Sequence, residues 1–139
     1  MATTLTIRCT TLEILGRWNA FLWAATGSPR ISATARAAIA DLANERLLSS
    51  VTPWELGIKF SQNKLDLPSD FPLFMRAAMS DLQVAELPVT VAHALRSAEL
   101  PQIHGDPFDR MLVAQALVEG IPIVSSDRRL SRYGVAVIW

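Results

Sequence analysis

Four acids in this chain stand where side-chain chemistry is most easily built. Asp106 and Asp109 fall in "DPFD", at the expected start of a helix. Asp127 follows "IPIVSS", at the expected end of a strand. Glu55 closes "TPWE", which opens another expected helix. Each acid has a purely structural explanation. Thr52 or Asp106 can cap a helix, proline suits the first helical position, and the acid three places on can close a capping box. Asp127 can cap the turn after it, and Glu55 can pair with Lys59 one turn along. Taken together they suggest more. Strand ends and helix starts on one edge of a parallel sheet converge on one crevice. Two unit charges about 4 Å apart repel by about 4 kcal/mol at an effective dielectric near 20. A divalent cation that prefers hard oxygen ligands, Mg²⁺ or Mn²⁺, would relieve that repulsion. Helix N-termini would help to keep the carboxylates ionised. A cation held this way suits hydrolysis of a phosphodiester.

The neighbours of these acids fit such a substrate. Arg110 follows Asp109, Arg128 follows Asp127, and Ser125 sits at the strand end. All three are candidates for contact with phosphate. Arg129 and Arg132 read equally well as solvated surface charge. His93 and His104 have no partner at zinc-ligand spacing and are set aside as ligands.

The elements that must place these residues alternate. Ser32 caps an expected helix through Asn44, with Ala35, Ala38, Ile39 and Leu42 on one face. A strand is expected over Leu47–Val51 and a helix over Thr52–Leu65. Asp70 caps a helix in which Phe71, Phe74, Met75, Ala78, Met79 and Leu82 repeat at helical spacing, a face read mainly as core. A strand over Val84–Val89 precedes a helix from Thr90 to Glu99. A helix over Pro107–Glu119 is stopped by Gly120. "IPIVSS", a turn at "RRLSRYG" and "VAVIW" complete the chain, and "LEIL" can serve as a first strand. Such alternation predicts an α/β fold with a parallel sheet covered on both faces. Trp18, Trp23 and Trp54 are expected in the core.

The bulk properties narrow the possibilities. With 139 residues, half of them apolar, the chain fits one domain with a real core. Its formal net charge is zero, so any basic surface must be local. A single cysteine rules out an internal disulfide, which fits a cytoplasmic protein. No apolar run approaches the roughly 20 residues of a membrane span, and the N-terminus has no signal-peptide core.

"FLWAATGSPRIS", "SSVTPWELGIKFSQNKLDLP", "HGDPFDRMLVAQALVEGIPIVSSD" and "YGVAVIW" resemble the PIN-domain ribonucleases, above all the VapC-like toxins of bacterial toxin–antitoxin pairs. The resemblance runs from about Ala20 to Trp139, in order. It implies a PIN-like α/β/α sandwich with a central parallel sheet over residues 1–139, of which 1–18 are atypical. It also implies Mg²⁺- or Mn²⁺-dependent endoribonuclease activity on RNA, homodimerisation and a cognate antitoxin. The family's acids fall on Glu55, Asp109 and Asp127, with Asp106 as an accessory. Asp109 and Asp127 would hold the metal most directly, and Glu55 would bind metal or orient water. One position departs from the pattern. The family's first strand ends in Asp-Thr-His or Asp-Thr-Asn; here Asn19 matches the last position, and Arg17 stands where the metal-binding aspartate belongs. The implied activity is then retained, weakened, or replaced by binding of antitoxin or RNA without catalysis. A small α/β phosphatase fits less well, because no acid nucleophile follows the first strand.

Overall fold

The computed structural model describes residues 11–13, as backbone, and 18–139. Five short strands form one sheet: β1 (Thr11–Glu13), β2 (Glu45–Ser49), β3 (Ala85–Leu87), β4 (Ile123–Val124) and β5 (Val137–Ile138). All neighbours pair in parallel, in the order β3-β2-β1-β4-β5. The register places Glu13 beside Leu47 on one side and Ile123 on the other. The chain thus steps outward from β1 through β2 to β3, then returns to the far side of β1 for β4 and β5. The order reverses between β1 and β4, and at such a switch point a crevice is expected beyond the carboxyl ends of the strands. Asp127 follows β4 at this point.

Helices cover both faces: α1 (Trp18–Thr26), α2 (Ala33–Ala40), α3 (Val51–Ser61), α4 (Phe71–Asp81), α5 (Val91–Ala98) and α6 (Pro107–Glu119). A 3-10 turn spans Arg128–Tyr133. Successive strand residues point to opposite faces, so β2, β4 and β5 each feed two cores. Leu48 and Val124 join Phe21, Ala35, Leu56 and Met75 on one face. Ile123, with Leu47 at its edge, joins Val51, Leu112, Val113 and Leu130 on the other. The α/β/α sandwich with a central parallel sheet is therefore present. No helix among the described residues is long and apolar enough to cross a membrane.

Several expected boundaries move. The second strand begins and ends two residues earlier than its apolar pattern suggested, because Glu45 and Arg46 join the ladder. Arg46 is nine-tenths buried there, and its guanidinium donates to the carbonyls of Ile39, Asp41 and Leu82. These carbonyls lie where α2 and α4 end, so a cation meets the negative ends of two helices. Helix α2 stops at Ala40, and Leu42, expected on its buried face, is 82 % exposed. Helix α3 stops at Ser61 rather than Leu65, just before Asn63 turns left-handed at φ 58°. The end of α6 is as expected: Gly120 takes φ 70°, a conformation that suits glycine.

Candidate metal centre

Residues 104–109 form a chain of local hydrogen bonds that aims one carboxylate inward. The Asp106 N–H donates to Nδ1 of His104 at 3.1 Å. Asp106 is the N-cap of α6, and its Oδ1 accepts the N–H groups of Phe108 at 2.8 Å and Asp109 at 3.3 Å. Pro107 takes the first helical turn, as its fixed φ favours. Capping is done by Asp106, and Asp109 is fully buried.

The second carboxylate comes from the strand end. Ser125 is buried, and its Oγ accepts the Asp127 N–H at 3.0 Å, turning the chain out of β4. Asp127 then caps the 3-10 turn by accepting the Arg129 N–H at 3.0 Å. The Arg129 side chain returns onto the same carboxylate, with Nε 3.0 Å from Oδ1 and Nη2 2.8 Å from Oδ2. This two-pronged pairing is the main reason that Asp127 is held well below the usual carboxylate range. Burial opposes the shift, while the Arg129 N–H and the His104 ring add to it.

His104 completes the cluster. Its Nε2 lies 3.2 Å from Asp109 Oδ2 and 3.3 Å from Asp127 Oδ2. One ligand atom from each of His104, Asp109 and Asp127 falls within 4.8 Å of the other two. Two carboxylates this close suit a divalent cation with oxygen preference, so the residues present fit the ion that the resemblance implies. The pairing with Arg129 is the form in which Asp127 is satisfied here.

The remaining expected residues are placed differently. Asp106 and Glu55 are not part of this cluster; Asp106 spends an oxygen on two backbone N–H groups. Glu55 is buried in α3, but not as the partner of a capping box. Ser50, not Thr52, precedes that helix, which puts Glu55 fifth and not third, so "TPWE" and "DPFD" are not structural equivalents. Lys59, expected to pair with Glu55, lies 5.0 Å over the Trp18 ring instead. Arg110, a candidate for phosphate, donates to the carbonyls of Ser97, Leu100 and Pro101 and so ties the end of α5 to α6. Arg128 is exposed on the 3-10 turn. Trp54, expected in the core, is 63 % exposed and meets Phe108 edge-on at 5.0 Å between ring centres. Arg17 lies outside the described residues, and so does the side chain of Glu13. His104 was missed because zinc-type spacing was the wrong filter; the signal lay in its position two residues before a helix N-cap.

The role of Arg129 gives a direct expectation. A carboxylate whose folded pKa is depressed adds stability above its ordinary value, here 3.8, and that stability is lost as pH falls toward the folded value. In a carbon-detected titration, Asp127 of the native chain should remain ionised at about pH 3. Arg129→Gln should return its midpoint toward 3.8 and move acid unfolding to higher pH. An unchanged midpoint would mean that the pairing does not form in solution.

No curated protein sequence matches the chain significantly. Two solved structures share its fold at low identity. One is VapBC2 from Rickettsia felis, bound to a DNA fragment from its promoter: TM-score 0.65, 15 % identity, over 92 % of this chain and 96 % of that one. The other is FitAcB from Neisseria gonorrhoeae: TM-score 0.60, 16 % identity, over 92 % and 95 %. The family model described as PIN domain matches residues 19–136, which include Asp109, Asp127, His104 and Glu55. With that match covering most of its length, and with two carboxylates converging at the switch point of a parallel sheet, the chain belongs to the PIN-domain family.

Proposed function

We propose that this chain is a Mg²⁺- or Mn²⁺-dependent endoribonuclease, the toxin of a toxin–antitoxin pair. PIN domains are generally nucleases that use divalent metals. The observation that carries the reading is the approach of Asp109 and Asp127 from two different elements at the crevice between β1 and β4. Asp109 and Asp127 would hold the cation. Glu55, buried at the neighbouring helix start, would bind it or orient the attacking water. A divalent cation bound there supplies Lewis acidity toward phosphate and neutralises the paired acids. The protein's part is to keep those acids ionised, close together and shielded from bulk solvent. Asp106 holds the helix start that presents Asp109, and Ser125 holds the turn that presents Asp127. Arg128, exposed beside Asp127, would meet a backbone phosphate.

VapBC2 and FitAcB are among the proteins that share this fold. By analogy, a small antitoxin would bind this chain, its C-terminal segment covering the crevice and bringing a cation to the acids. The protein would act as a homodimer in the cytoplasm. A second reading, binding of antitoxin or RNA without catalysis, is favoured by two observations. Asp127 already holds a cationic partner in Arg129, and the sequence offers Arg17 where the family has an acid.

Cleavage of a single-stranded RNA pool with Mn²⁺ separates the two readings. We expect weak, chelator-sensitive cleavage by the native chain. Arg17→Asp should increase it, and Arg17→Ala should increase it less. No cleavage by any of the three, with RNA or antitoxin still bound, would establish the second reading.

A further inference from the structure

His104 sits at the centre of the cluster, and the proton on its ring can be placed from its contacts. A backbone N–H is always a donor, and the Asp106 N–H reaches Nδ1 at 3.1 Å. Nδ1 must therefore present a lone pair, and the ring proton must sit on Nε2. The surroundings of Nε2 agree. Two carboxylate oxygens face it, Asp109 Oδ2 at 3.2 Å and Asp127 Oδ2 at 3.3 Å. An N–H is attracted to both, whereas a lone pair would be repelled by both. One contact pulls the other way, because Arg129 Nη2, also a donor, lies 3.1 Å from Nε2. Both donors bear on Asp127 Oδ2, so they share an acceptor. The Arg129 side chain is 59 % exposed, while the His104 side chain is 7 % exposed. One half-solvated contact does not outweigh an amide and two carboxylates.

The geometry points to His104 as a positioning residue, a fixed N–H that hydrogen-bonds Asp127 while facing the Asp109 carboxylate at 3.2 Å, and not a ligand of the cation. This rests on the reading of the crevice as a divalent-cation site and adds to it which atoms hold the cation. Ligation through Nε2 would need the proton on Nδ1, facing the N–H of Asp106. That would undo the bond beneath the N-cap of α6. His104 therefore leaves the cation with oxygen ligands, which favours Mg²⁺ or Mn²⁺ over zinc. By lying between the two acids, its N–H also offsets their repulsion and holds their spacing before the cation arrives.

The test reads the ring and the ion separately. Long-range proton–nitrogen NMR of the metal-free chain should show His104 protonated on Nε2, and the same pattern should persist at saturating Mg²⁺. In Mg²⁺ titrations, His104→Gln, which keeps an N–H donor near the same place, should bind within about threefold of the native chain. His104→Ala should bind at least about tenfold more weakly, as loss of an outer partner of metal ligands does. A proton on Nδ1, a metal-coordinated Nε2 signal, Ala binding as tightly as native, or Gln binding as weakly as Ala would each overturn the inference. A native chain that binds no Mg²⁺ would instead overturn the proposed function, and the metal-free ring spectrum would still decide the role of His104.

Discussion

Asp109→Asn should reduce metal-dependent RNA cleavage by about a thousandfold or more while leaving the fold intact. The substitution keeps the shape and removes one of two carboxylates within the 4.8 Å cluster. A cation contributes several kcal/mol of transition-state stabilisation, and about 4 kcal/mol corresponds to a factor near a thousand. Stability should change little, by about 1 kcal/mol or less, because the cap of α6 belongs to Asp106, whose Oδ1 takes the N–H groups of Phe108 and Asp109. The measurement is initial cleavage rate with saturating Mn²⁺, with a urea melt as control. Activity that survives both Asp109→Asn and chelation would sink the assignment of the crevice as the reacting centre.

Leu112→Ala should have the largest effect on stability, a loss of about 3 kcal/mol within the usual 2–5 for a buried leucine. Leu112 is fully buried. It lies in the core shared by Val51 at the start of α3, Ile123 of β4 and Leu130 of the 3-10 turn. These are the elements that present the acids, so a cavity here loosens the site as well as the fold. Of a total stability of about 5–15 kcal/mol, a loss of this size is substantial. Cleavage measured at low temperature, where the variant remains folded, should still fall. Leu42→Ala is the control: at 82 % exposure it should cost about 0.5 kcal/mol or less. Similar losses for the two variants would contradict the burial assigned to them.

The start of α6 shows why part of the site was legible in the sequence. An N-cap, a proline and an acid within four residues are local signals, and they act through bonds between near neighbours. The structure reproduces them at Asp106, Pro107 and Asp109. The same signals misled at "TPWE". Ser50 stands at the strand–helix junction, and β2 ends at Ser49, where its ladder with β3 stops at Leu87. Arg110 and Arg129 could not be told apart from the sequence, since each is a basic residue beside an acid. Arg110 found the carbonyls at the end of α5, and Arg129 found Asp127.

The sequence by itself determined the alternation of strands and helices, most of their caps, and the acids from which a cation site could be built. These depend on periodicity and on hydrogen bonds spanning a few residues, which composition encodes directly. Only the tertiary structure decided which acids meet. Asp109 and Asp127 come together because β4 returns to β1 from the side opposite β2, a matter of strand order that no local pattern contains. It also decided that His104 stands between them, since a ring 23 residues from Asp127 reaches it only when α6 and β4 are packed through Leu112 and Ile123.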